Sequence, residues 1–175
     1  MFYSQAGQDV WAMQKTKGKG IYVDVGAYDG IESSNTYALE LAGWKGICIE
    51  PNPQAFEKLY KNRKCIVIKD AATNTPCNTL CEILDAALRE ITVIDYLSID
   101  VDGGEMDVLR GMDFKKYHVR LITIEHNSYF EGQERQEQIF YYLTGQGFKR
   151  AVKDVKCLDP NYYGAIYEDW YENIH

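Results

Sequence analysis

Five short runs rich in β-branched residues recur along the chain: IYVDV (21–25), GICIE (46–50), CIVIK (65–69), VIDYLSIDV (93–101) and VRLITIE (119–125). Each is mostly apolar on both alternating faces, the pattern of parallel strands covered by helices on either side. Successive runs start roughly 20 to 30 residues apart, which leaves room for a crossover helix each time. The intervening segments carry helical signals. Over 79–90, Leu80, Ile83, Leu84, Ala87 and Leu88 share one face, and Thr79 with Glu82 forms a capping box. Over 52–62, Asn52 caps, Pro53 takes the first helical position, and Phe56, Leu59 and Tyr60 face the sheet. Further helices are predicted over 31–43, stopped by Gly43, over 104–110, stopped by Gly111, and over 133–144, before Gly145 and Gly147. The alternation predicts an α/β fold, a wound and mostly parallel sheet with helices on both faces and right-handed crossovers. The last quarter differs: FKRAV (148–152) and NYYGAIYEDWY (161–171), around the Asp159-Pro160-Asn161 turn, read as a C-terminal antiparallel hairpin at the sheet edge. With no repeat and no linker, residues 1–175 form a single domain.

Composition adds limits. Hydrophobic residues make up 46% and charged residues 26% of 175, an ordinary globular balance. No apolar run approaches the ~20 residues of a membrane span, and MFYSQAGQDV is no signal peptide, so no membrane partner is expected. A net charge of −7 disfavours nucleic acid. The local basic run Lys58, Lys61, Arg63 and Lys64 reads as a solvated helix end. Cys48, Cys65, Cys77, Cys81 and Cys157 are odd in number and form no C-x-x-C pair. They read as reduced thiols in a cytoplasmic compartment.

Chemistry in an open α/β sheet sits beyond the carboxyl ends of the strands, near the switch in strand order. Every predicted parallel strand ends in an acid: Asp24, Glu50, Asp70, Asp100 and Glu125. The first loop holds only Gly26 and Gly30 of a dinucleotide fingerprint and adds Asp24 and Asp29, which would repel a pyrophosphate. S-adenosylmethionine has no phosphate and carries two cationic centres, so an acidic loop suits it. Glu50 would accept hydrogen bonds from its ribose hydroxyls. The plainer alternative is that strand-end acids cap helices.

The segments YSQAGQD (3–9), YVDVGAYDGIESSNT (22–36), GICIEPNP (46–53) and YLSIDVDGGEMDVLRG (96–111) resemble the FkbM family of S-adenosylmethionine-dependent methyltransferases, over residues 3 to about 127. The resemblance implies a Rossmann-like fold and methyl transfer to an oxygen of a small molecule or sugar. It also implies that Asp24 and Gly26 lie beside the methionine part of the cofactor and that Tyr28 in the same loop is a cofactor-binding residue. Glu50 would hold the ribose, Asp70 with Ala71 would meet the adenine edge, Gln5 and Asp9 would close over the cofactor, and Asp100 would face the methyl donor. TNTPCN (73–78) is shorter than in many members, which leaves the substrate class open.

Methyl transfer is an in-line displacement, so catalysis is largely alignment. A hydroxyl acceptor must also lose a proton to a base. Asp102, Glu105 and His126 are candidates. An imidazole, with an unperturbed pKa near ~6.5, suits that work, and the alternative for His126 is a structural hydrogen bond. Glu105 lies in a first helical turn, where the helix dipole favours an acid regardless of chemistry. Asp100 or Asp102 with Glu125 and His126 would also offer ligands to Mg2+ or Mn2+, unless those carboxylates serve loop amides or the cofactor's ammonium. Tyr162, Tyr163, Tyr167, Trp170 and Tyr171 would line a substrate pocket, form a homodimer face, or pack the hairpin. An NAD-dependent oxidoreductase and a non-catalytic cofactor-binding module are the competing functions.

Overall fold

All five apolar runs form strands: β1 (Ile21–Val25), β2 (Lys45–Ile49), β3 (Ile66–Ile68), β4 (Val93–Ile99) and β5 (His118–Glu125), paired in parallel. The computed structural model describes residues 3–88 and 91–175, with backbone alone at 130–131. Strands β6 (Phe148–Lys156) and β7 (Ile166–Asn173) add the antiparallel hairpin, giving a seven-stranded sheet in the order β3-β2-β1-β4-β5-β7-β6. The hairpin is inserted with β7 inward, leaving β6 at the edge. The order reverses between β1 and β4, which opens a crevice at their carboxyl ends.

Helix α1 (Gln8–Lys15) precedes the sheet, and α2 (Tyr37–Leu41), α3 (Pro53–Asn62), α4 (Leu80–Leu88) and α5 (Glu105–Arg110) follow successive strands. The remaining helices are α6 (Ser128–Glu131) and α7 (Glu134–Gly145). The caps form as read. The Asn52 side chain accepts from the Gln54 and Ala55 amides at 2.9 and 3.2 Å. Glu82 accepts from the Thr79 amide at 3.0 Å while its own amide donates to the Thr79 hydroxyl at 3.2 Å. The last two positions of the helix predicted over 79–90 lie outside the described residues. The helix predicted over 31–43 is shorter, because Asp29 takes the Ile31 and Glu32 amides and the Ser34 hydroxyl takes those of Thr36 and Tyr37. Such local side-chain acceptors compete with helical bonding.

Alternation along the strands divides the interior in two. Val23, Ile47, Leu97, Ile122 and Tyr171 pack under α4, α5 and α7. Tyr22, Cys48, Tyr96, Leu121 and Trp170 pack under α1, α2 and α3, with the Trp11 and Trp170 rings 5.0 Å apart. Fully burying one such side chain is worth about 1.5–3 kcal/mol. By the same alternation the second face carries Asp24, Ser98, Thr123, Glu125 and Glu168 and, just past β4, Asp100. The acids therefore gather on one face at one edge. Tyr167, Trp170 and Tyr171 are buried, Trp170 against Trp11 and Tyr171 in the opposite layer, whereas Tyr162 and Tyr163 are exposed on the β6–β7 connection. Among the described residues, no helix is long and apolar enough to cross a membrane.

Candidate active site

The crevice at the β1–β4 switch is a cavity of about 680 Å3 whose walls include Gln5, Asp24, Gly26, Tyr28, Glu50 and Asp100. Its shape depends on Gly26. This residue has φ +88°, and a β-carbon there would lie 1.7 Å from the Asp100 carbonyl oxygen. Only glycine allows the chain leaving β1 to cross the end of β4 so closely. The Gly26 and Ala27 amides both donate to the Ile49 carbonyl, at 3.0 and 3.1 Å.

Glu50 is buried at the end of β2, and its two oxygens accept from the Tyr28 amide at 2.9 Å and the Asn52 amide at 2.8 Å. Each oxygen keeps a further lone pair for a ligand. Asp24, 3% exposed, accepts from the Thr36 hydroxyl at 2.6 Å. Burial raises its pKa, opposed by the Thr36 bond and the charge of Arg63.

Three expected cofactor residues lie elsewhere. Asp70 accepts from the Ala71 amide and from Asn78, stabilising the turn after β3, and neither it nor Ala71 is on the cavity wall. Asp9 is fully buried and takes the Tyr3 amide, the Ser4 hydroxyl and the Val10 amide. It folds the N-terminal segment so that Gln5 reaches the cavity instead.

A smaller cavity of about 210 Å3 adjoins the first and shares Gln5, Asp100, Asp102 and Tyr162 with it. It adds Glu125, Tyr129 and Tyr167, and one carboxylate oxygen from each of Asp100, Asp102 and Glu125 lies within 4.8 Å of the others. Burial lifts Asp100 to about 6. Burial and then the charge of Asp100 lift Glu125 to about 10. Near neutral pH the two carboxyls therefore hold one proton between them. No Lys, Arg or His lines either cavity among the described residues.

His126, expected as a base and as a metal ligand, is on the wall of neither cavity. One residue beyond Glu125, it projects from the opposite face and is fully buried. Its Nε2 lies 3.6 Å from Asp169 Oδ1, and its Nδ1 accepts from the Ser128 amide at 3.2 Å. Asp169 is also tied to Arg150 and the Asp154 amide. Although burial alone would raise it, these neighbours and His126 hold its carboxyl below the usual range. Glu105 is buried too, accepting from the Gly103 amide and lying 3.5 Å from Arg135, so it supports the Asp102 loop rather than lining either cavity. Glu125, a strand-end acid and expected metal ligand, stands beside Asp100 in the second cavity, and the two carboxyls together form a candidate base. Nothing in the local sequence marks buried Glu168, which accepts from Gln8 of α1 and is raised to about 8, chiefly by burial.

A wound sheet of this order, with a deep crevice lined by carboxylates at its switch point, is the Rossmann-like fold of methyltransferases, and solved methyltransferase structures superpose on most of it. Residues 24–75 and 67–150 match the methyltransferase FkbM domain, and the chain belongs to that family. The structure of methyltransferase FkbM from Methylobacillus flagellatus KT aligns with a TM-score of 0.64 at 14% identity, over 91% of this chain and 45% of that one. Precorrin-6y C5,15-methyltransferase from Geobacter metallireducens GS-15 aligns with a TM-score of 0.59 at 15% identity, over 94% of this chain and 85% of that one. Aeropyrum pernix fibrillarin, a structure with natively bound S-adenosyl-L-methionine, gives 0.59 at 17% identity, over 89% of this chain and 67% of that one. No curated protein matches the sequence.

Proposed function

We propose that this protein is an S-adenosylmethionine-dependent O-methyltransferase acting on a hydroxyl of a small molecule or sugar. The observation that carries this reading is the pair of adjoining cavities that share Asp100 and Asp102: a large one bounded by acids, and a small one with a proton-sharing carboxyl pair. The large cavity fits the cofactor's chemistry. Its walls carry Asp24, Glu50 and Asp100 and no cation, which favours a sulfonium and ammonium ligand over a diphosphate. Asp24 receives the amino group and Glu50 the ribose hydroxyls, while Gln5 and Tyr162 line both cavities. When bound, S-adenosylmethionine supplies the methyl group.

In the smaller cavity the Asp100–Glu125 pair accepts the acceptor's hydroxyl proton as the new bond to carbon forms. A carboxyl raised toward neutrality is a better base than an ordinary one, and such transfer is worth about 10²–10⁴-fold. A nucleic acid is disfavoured as acceptor because its phosphates would meet carboxylates and no cation here. The same reading places the enzyme in the cytoplasm, where its cysteines stay reduced.

The carboxylate trio also favours a second route to the same activation. Asp100, Asp102 and Glu125 suit a hard divalent cation such as Mg2+ or Mn2+, which would orient the acceptor oxygen and lower its pKa. Calorimetry with S-adenosylhomocysteine and NADH tests the cofactor assignment: the first binds and the second does not. Tight NADH binding without uptake of the thioether would overturn it in favour of an oxidoreductase. Release of S-adenosylhomocysteine across a panel of polyols and sugars, with and without EDTA, then tests transfer and metal dependence. No release with any of them would favour a non-catalytic binding module.

A further inference from the structure

Arg63, which the sequence placed in a solvated basic run, is buried with its side chain fully covered at the end of α3. All of its donors are engaged. Nε donates to Glu40 at 3.1 Å, Nη1 to the Gly30 carbonyl at 3.1 Å and to Ser34 at 3.4 Å. Nη2 donates to the Tyr22 hydroxyl at 2.9 Å and to Thr36 Oγ1 at 3.0 Å. A guanidinium can only donate, so the Thr36 hydroxyl must accept from it and turn its own proton outward. That proton meets Asp24 Oδ2, 2.6 Å away, on the wall of the large cavity. Residues 32–35, between the loop's Gly30 and Thr36 anchors, form another part of that wall.

We propose that Arg63 is a positioning residue of the cofactor cavity: acting through the Thr36 hydroxyl, it holds Asp24 as the carboxylate that receives the cofactor's cationic amino group. The inference rests on the cofactor assignment above and assigns a role to a residue that does not line the cavity. Burial alone drives Asp24 toward its neutral form, and the hydroxyl together with the nearby positive charge opposes this. Arg63 and the Thr36 hydroxyl thus both favour the anionic form of Asp24, the form that attracts an ammonium most strongly. Lysine could not replace it, because a single ammonium cannot span acceptors on β1, α2 and the 30–36 loop.

The test compares two ligands that share the adenosine and differ in the amino acid. S-adenosylhomocysteine carries the ammonium; 5′-methylthioadenosine lacks it. Calorimetry on Thr36→Val should show S-adenosylhomocysteine weakened about tenfold or more, the loss expected of one hydrogen bond to a charged group. Methylthioadenosine should stay within about twofold, and Thr36→Ser should restore the first ligand. Arg63→Lys should reproduce the same selective loss, with thermal melting reporting how much of it folds. Equal weakening of both ligands would reveal a merely structural role and overturn the proposal, as would no weakening of either. Wild-type protein that binds neither compound would instead refute the cofactor assignment, and this inference with it, before any variant is compared.

Discussion

Gly26→Ala sets a β-carbon 1.7 Å from the Asp100 carbonyl oxygen and 2.8 Å from its carbon, against backbone rather than a flexible side chain. Ordinary contact requires that carbonyl to retreat by about 1.5 Å. The retreat pulls on the bond between the Asp100 amide and the Val25 carbonyl, 3.0 Å long, which closes β1 against β4. Three penalties accumulate: about 1–2 kcal/mol for a side chain at φ +88°, about 1–3 for overpacking, and about 1 for the weakened bond. The expected loss is about 3–6 kcal/mol, or about 10 °C or more in Tm for a chain of this size. Gly7→Ala is the control. Gly7 has a similar φ of +86° but nothing within 4 Å of its added carbon, so it should lose only the backbone share, about 1–2 kcal/mol. Equilibrium urea unfolding of both variants measures the difference, and calorimetry with S-adenosylhomocysteine reads the cavity wall. Equal destabilisation of the two variants, or undiminished ligand affinity in Gly26→Ala, would refute the argument that this crossing shapes the crevice.

Two further substitutions concern Glu125, the last residue of β5, and His126 just after it. The Glu125 carboxyl is raised to about 10, so its contribution to stability is full below the ordinary carboxylate pKa and is lost as pH rises toward about 10. Glu125→Gln, neutral throughout, should therefore melt higher than wild type near pH 9 and show a flatter pH profile, while methyl transfer falls about 100-fold or more. A lower melting point near pH 9 would contradict the raised carboxyl. His126→Asn should lose about 1–3 kcal/mol in urea, through the buried group left beside Asp169, yet keep its S-adenosylhomocysteine affinity within about twofold. Lost ligand affinity at unchanged stability would return His126 to the active site.

Much of this architecture could be read locally. The strand runs and the caps at Asn52 and Thr79 are all features of neighbouring residues. Helix α1 leaves no local signal, for a physical reason. It buries Gln8 and Asp9 along with Trp11 and Ala12, so its inward side is as polar as its outward side and no amphipathic stripe marks it. The 31–43 segment misled because Asp29 and Ser34 offer acceptors that composition cannot weigh against helical bonds. Arg63 was indistinguishable from Lys58, Lys61 and Lys64 in sequence. It turns inward because α3 stops at Asn62 and the chain continues extended, with φ −111° and ψ 152°.

The order of elements and the acidity of the strand ends were local matters, since hydrophobic alternation and capping act over a few residues and every parallel strand delivers its carboxyl end to the same edge. Which of those acids meet in one cavity was decided only in three dimensions. On β5 both faces are covered, so nothing in its apolar pattern says whether Glu125 or His126 turns toward the crevice. Sheet register, with β5 paired to β7 and β7 tied to α1 by Gln8 and Glu168 across 160 positions, makes that choice. Long-range packing thus assigns the chemistry, because the free energy of burying one face rather than the other belongs to the assembled layers and to no local segment.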